Sequence, residues 1–135
     1  MQKINSFGDA LWADGVQVDP ADGVNFSGRF ASNNLGGFDI FWERGVYPNV
    51  DILFKRFGSS GSPLTNDPIN VAVGDGYQFA PNIISGSGDS VFVVFADQST
   101  GSIDLRVQYF QGNDPLMQDN GILAQKGLDG DIKYN

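Results

Sequence analysis

The chain alternates between short apolar runs and glycine-rich breaks. Phe38-Asp39-Ile40-Phe41-Trp42 and Ser90-Val91-Phe92-Val93-Val94-Phe95 are rich in aromatic and β-branched residues, the residues that suit a pleated, half-buried surface. Asp51-Ile52-Leu53-Phe54-Lys55-Arg56-Phe57 and Asp104-Leu105-Arg106-Val107-Gln108-Tyr109-Phe110 follow them, each opened by an aspartate. The connectors Asn33-Asn34-Leu35-Gly36-Gly37, Gly58-Ser59-Ser60-Gly61-Ser62-Pro63 and Gly86-Ser87-Gly88-Asp89 carry turn chemistry, since Gly and Asn accept the positive φ of tight turns. No dozen residues show helical periodicity free of Gly or Pro. The pattern predicts an all-β chain.

It also repeats. Leu11 to Val18 aligns with Leu64 to Val71 at an offset of 53 residues. The same offset brings Phe26 onto Phe79, Trp42 onto Phe95, Asp51 onto Asp104, and Phe57 onto Phe110; a third copy opens at Leu116, 52 residues after Leu64. Each copy offers four strands, in the first copy residues 26–32, 38–43, 51–57 and, taken cyclically from the head of the unit, 16–18. Four short antiparallel strands per unit predict the tandem blades of a β-propeller. The expected division is a part-blade at 1–18, full blades at 19–71 and 72–124, and a part-blade at 125–135. A lone blade cannot bury both faces of its sheet, so stacking is implied.

Composition narrows the function. Net charge is −8, which repels phosphate backbones and anionic lipid, so no nucleic-acid or membrane partner is expected. With Cys 0 and His 0, thiolate or imidazole metal sites and a Ser-His-Asp relay are excluded within the chain. No apolar stretch reaches the roughly 20 residues of a membrane span, and no apolar region follows Met1-Gln2-Lys3-Ile4-Asn5 to make a signal peptide.

The residues resemble the sialidase-type propeller repeats of secreted bacterial proteins. Phe79-Ala80-Pro81-Asn82-Ile83-Ile84 stands as the inner strand, Phe41-Trp42-Glu43-Arg44 and Phe95-Ala96-Asp97 end the next, and the segment from Asp51 to Arg56 forms the third. The turn that follows is similar to a degenerate Asp-box: Gly8 and Gly61 hold its glycine position, Leu11 and Leu64 its closing aromatic position, and Ser6 and Ser59 replace its aspartate. The resemblance implies a propeller fold and a secreted or cell-surface setting.

Candidate chemistry is sparse. Trp12 aligns with Thr65 and Met117, so the repeat does not demand it and it could stack on a sugar. Trp42 aligns with Phe95, which assigns it to the core. Glu43 and Arg44 align with Ala96 and Asp97. With Tyr47 and Trp12 they make the candidate ligand-binding set; as a bare ion pair, Glu43 and Arg44 would carry little energy. Asp51 and Asp104 are expected to accept turn N–H groups rather than bind a ligand. Leu128-Asp129-Gly130-Asp131 resembles a fragment of a calcium loop but lacks its remaining ligands, so no metal is expected there. Glu43 is the only glutamate, and the set of groups a sialidase needs is not assembled.

The expected role is a non-enzymatic propeller segment, without cofactor, that binds or scaffolds a glycan or protein ligand. Its part-blades are exposed edges, so it should self-associate as a homo-oligomer or belong to a larger propeller. The alternatives are a fragment of a sialidase-like glycoside hydrolase and a small self-assembling structural protein.

Overall fold

The computed structural model describes residues 1–21 and 23–127. Among these residues there is no helix. The strands are β1 (Asn25–Ser32), β2 (Phe38–Val46), β3 (Asn49–Phe57), β4 (Ile69–Ala72), β5 (Gln78–Ser85), β6 (Ser90–Asp97), β7 (Asp104–Gln111), β8 (Asp114–Pro115) and β9 (Ile122–Gln125). They form two antiparallel sheets. The first runs β1-β2-β3-β4; the second runs β5-β6-β7, with β8 and β9 both on the outer edge of β7. Neither sheet closes on itself.

The second sheet repeats the first pair for pair. Phe26↔Glu43, Phe41↔Phe54, Arg44↔Asp51 and Ile52↔Ala72 become Phe79↔Ala96, Val94↔Val107, Asp97↔Asp104 and Leu105↔Gln125, always 53 positions on. The irregularities repeat too. A bulge follows Phe26 in β1 and Phe79 in β5, and the residues there, Ser27 and Ala80, have φ of 51° and 54°. Such a bulge bends its strand and adds twist, so the two sheets share a shape as well as a register.

One loop explains the single break in the offset. Phe57 bridges Pro63 in the first unit, and Phe110 pairs with Pro115 in the second, one residue sooner. The missing residue is regained before Ile122, which pairs with Val107 as Ile69 pairs with Phe54.

The fourth strand of the first sheet is β4, not residues 16–18. Val16 instead exchanges backbone hydrogen bonds with Met1, N–H to Met1 O at 2.7 Å and Val16 O from the amino terminus at 2.8 Å. Chain connectivity decides this: β4 follows β3 through residues 58–68 and reaches its free edge, whereas residues 16–18 lie beside the segment that precedes them. Strand β2 also extends three residues past Glu43, to Val46, because β2 and β3 stay paired up to Val46↔Asn49.

Each sheet has a front and a back. The back of the first, with Phe41, Ile52, Phe54, Val71 and Ala72, packs on the front of the second, with Val91, Val93, Phe95 and Phe110. All nine side chains are 2% exposed or less. Phe41 stacks on Phe54 at 4.5 Å, and Phe110 approaches them at 6.2 and 5.1 Å; burying each ring fully is worth about 1.5–3 kcal/mol. A second cluster covers the front of the first sheet, where Val16 and Val18 lie against Ile40, Trp42, Leu53 and Phe57. Val16 and Val18 stand 53 positions before Ile69 and Val71, which pack on the front of the second sheet. Trp42 and Phe95 therefore sit in matching surroundings, one front covered by residues 16 and 18, the next by residues 69 and 71.

Polar ties between the units follow the same spacing. Asp51 accepts the Gly74 N–H at 3.1 Å, and Asp104 accepts the Gly127 N–H at 2.9 Å. Ser85 Oγ donates to the Ser32 carbonyl at 3.0 Å, so corresponding ends of β1 and β5 touch. Asn120 donates to the Val73 carbonyl at 3.1 Å and accepts its N–H at 2.9 Å, which ties the last connection of the second unit to the end of the first.

Candidate functional site

The four sequence candidates fall into two separate places. Trp12 lies at the Phe38 end of β2, its ring centroid 5.6 Å from that of Phe38. Glu43, Arg44 and Tyr47 belong to the other end; from Phe38 to Arg44 the strand covers about 20 Å at roughly 3.3 Å per residue. Nothing brings the tryptophan to the other three.

Trp12 is held by a close approach. A Cβ at Gly61, whose φ is +83°, would come within 2.7 Å of the indole, so the ring lies directly over that glycine's backbone. Beside it opens a cavity of about 520 Å³, walled by Met1, Gln2 and Lys3 and floored by Phe30, Phe38 and Ile40. Its lining is mainly apolar. Phe30 is 73% exposed, although its counterpart Ile83 packs against the central core.

At the far end Glu43 is buried and already engaged, its Oε1 accepting the Ala80 N–H at 2.8 Å. That bond secures the bulge of β5 on the back of the first sheet and holds the Glu43 carboxylate between the two sheets. Arg44, whose side chain is 32% exposed, reaches Asp19, whose side chain is 4% exposed, at 3.5 Å. Tyr47, at the β2–β3 turn, is 70% exposed. It meets Tyr77 edge-on at 5.6 Å, and Tyr77 stacks on Phe79 at 4.4 Å. Burial, aided by the charge of Glu43, raises the Tyr77 hydroxyl above the usual tyrosine range. The three rings form a short aromatic ladder. The counterparts of Tyr47 and Tyr77 are Thr100 and Val24, so the repeat asks for neither tyrosine.

A buried ionic group was not foreseen from the sequence. Arg56 donates to both oxygens of Asp39, from Nε at 2.8 Å and Nη2 at 2.6 Å, and its Nη1 lies 2.9 Å from Asp89 of the β5–β6 turn. Burial opposes the guanidinium charge, but the Asp39 hydrogen bonds and the charges of Asp39 and Asp89 outweigh it and hold Arg56 above its ordinary pKa. Asn33 supports Asp39 at 2.9 Å. The second unit places Phe92 and Tyr109 at the corresponding positions, stacked at 4.4 Å. An ion pair where units meet is thus replaced by an aromatic pair on the open back of the second sheet.

Among the described residues no group of three or more His, Cys, Asp or Glu side chains could hold a metal ion. Residues 128–131, the calcium-loop-like run, lie outside the described residues. Asp104 also accepts from Thr100 Oγ1 at 3.2 Å. The Gly127 N–H first, then Thr100 and the charges of Lys126 and Arg106, keep its carboxyl below the usual aspartate range. Asp51, two residues inside β3, and Asp104, at the start of β7, both bind backbone. No family model, no curated protein and no solved structure matches the chain.

Proposed function

We propose that the chain is a β-propeller segment that works as a non-enzymatic binding or scaffold module and associates with further copies of its own repeat. The observation that carries this reading is the front-to-back packing of equivalent sheets. A front is covered by the residues one repeat earlier, first at 16 and 18, then at 69 and 71. Such an interface is heterologous, and repeated heterologous contacts generate rings when the rotation closes; propellers close with about 4–8 four-stranded units. The back of the second sheet offers the next contact. Val94, Leu105 and Val107 are only half-buried there, whereas their counterparts Phe41, Ile52 and Phe54 are fully covered. The ladder of Tyr47, Tyr77 and Phe79 favours a glycan as the ligand, because Tyr47 and Tyr77, which the repeat does not require, each offer an apolar face with a polar tip.

The test is mass in solution by sedimentation equilibrium. The expected result is concentration-dependent association that Leu105→Glu abolishes while leaving the circular dichroism spectrum unchanged. A monomer up to the limit of solubility would refute self-association. Retention on a glycan array that is lost with Tyr47→Ala would support the ladder as the ligand surface, and retention unchanged by that substitution would move the ligand elsewhere.

A further inference from the structure

The turn before β9 differs from its counterpart before β4. Gln108 Nε2 donates to the Gln118 carbonyl at 3.1 Å, as Lys55 Nζ donates to the Asn66 carbonyl at 2.9 Å. Gln118 therefore stands for Asn66, Asp119 for Asp67 and Asn120 for Pro68. Ile122 pairs with Val107 as Ile69 pairs with Phe54. Gly121 is thus the residue that restores the count, and it creates the one Asn-Gly pair in the sequence.

Asn120 and Gly121 both take left-handed backbone, with φ of 60° and 71°, and the turn aims the exposed Asn120 side chain at the first unit. There it makes the double tie to Val73, Nδ2 donating to the carbonyl at 3.1 Å and Oδ1 accepting the N–H at 2.9 Å. The Gly121 N–H is held as well, by the Gln118 carbonyl at 2.9 Å. Arg106 Nη1 holds the Asn120 and Gly121 carbonyls at 3.4 and 3.2 Å. Gly121 lies so close to β7 that a Cβ would stand 2.5 Å from the Val107 carbonyl oxygen.

An asparagine followed by glycine is prone to cyclise, because glycine has no Cβ to obstruct the approach. The Gly121 nitrogen, having given up its proton, attacks Asn120 Cγ. The N–Cγ bond forms, the Cγ–Nδ2 bond breaks, and Nδ2 takes up a proton and leaves as ammonia. Water then adds to one carbonyl of the cyclic imide and opens it. The product is aspartate or, with the main chain rerouted through the side chain, isoaspartate. In sum, water enters, ammonia leaves and nothing is oxidised. The folded junction opposes the first step, since Val73 fixes the amide under attack and Gln118 fixes the attacking nitrogen.

We propose that Asn120 is a site of spontaneous, irreversible modification, guarded while the two units are docked and converted to isoaspartate or aspartate once they part. Neither product rebuilds the double tie. An oxygen replaces Nδ2 and faces the Val73 carbonyl, acceptor against acceptor. Isoaspartate also adds a main-chain methylene just before Gly121, where the chain must enter its register on β7. A molecule that has once opened at this junction is thereby marked, whatever its ligand and however many copies associate.

The test follows the full chain in weakly alkaline buffer, with and without denaturing urea. Conversion at residue 120 is read by peptide mass spectrometry with separation of the isoaspartyl form. Conversion in urea is expected to be at least tenfold faster than in buffer alone. Ile52→Val, which loosens the packing between the sheets, should speed conversion in buffer and leave the rate in urea unchanged. After removal of urea, isoaspartyl chains should show a lower urea midpoint than unmodified chains. Equal rates in buffer and urea, or a rate in buffer indifferent to Ile52→Val, would overturn the guarding role of the junction. Equal midpoints would overturn the lasting loss of the tie.

Discussion

Ile52 and Leu105 occupy the same place in successive units, carry side chains of equal size, and differ in what covers them. Ile52 is 0% exposed, between the two sheets. Leu105 lies half-exposed on the open back of the second sheet, beside Ala96 and Ile84. Truncating a fully buried isoleucine to alanine removes its transfer free energy and leaves a cavity, together about 2–5 kcal/mol. At Leu105 part of the side chain is already in water and the gap opens to solvent, so the cavity penalty falls away and the loss is about 1 kcal/mol, from roughly 25 cal/mol per Å² of apolar area. With a urea m-value of about 2 kcal/mol/M, Ile52→Ala should lower the midpoint by about 1–2.5 M and Leu105→Ala by about 0.5 M. Unfolding is followed by tryptophan fluorescence at high dilution; should Ile52→Ala leave no folded baseline, Ile52→Val supplies the measurement at about 0.5–1.5 kcal/mol. Equal losses from Ile52→Ala and Leu105→Ala under dilute conditions would mean that the two positions share one environment, and the packing argument would fail.

Removing one partner of the buried ion pair should be costly. Arg56→Met leaves Asp39 buried without its guanidinium, a loss of about 3–5 kcal/mol, while the double replacement Asp39→Leu with Arg56→Met should recover much of it; a single variant as stable as the parent in thermal unfolding would refute this. Acid sensitivity follows from Asp104. Its carboxyl is held below the usual range, so its contribution is fully present above the unfolded aspartate pKa of about 3.9 and is lost as pH falls through the lower folded value. Asp104→Asn should therefore flatten stability against pH below about 4, and an unchanged slope in urea midpoints between pH 5 and pH 2.5 would count against it.

The strands were legible because their apolar pattern occurs twice, so that each copy corroborates the other. The identity of the fourth strand was not legible. A cyclic repeat leaves open whether residues 16–18 or 69–72 close the first sheet, and only the short connection from β3 decides. Trp42 was readable as core from its alignment with Phe95. Arg56 and Asp39 were hidden for the opposite reason, since their counterparts are Tyr109 and Phe92 and the pair depends on register across β2 and β3. The hydrogen bond of Glu43 was not legible either, because a charged residue in a strand gives no sign of the backbone N–H, at Ala80, that it meets from the next sheet. Tyr77 escaped notice in a glycine-rich connector, and its role appears only when the fold brings it beside Tyr47.

The one-residue shortening between Phe110 and Pro115, recovered before Ile122, shows where this architecture tolerates editing. Ladder pairing dictates where each strand begins, and the outer connection takes up any surplus or deficit in length. Residues 59–60 and 112–113, at the tips of these turns, are consequently natural ports for grafted peptides or epitope tags: a passenger inserted there would lengthen the connection and leave the phase of every downstream strand intact.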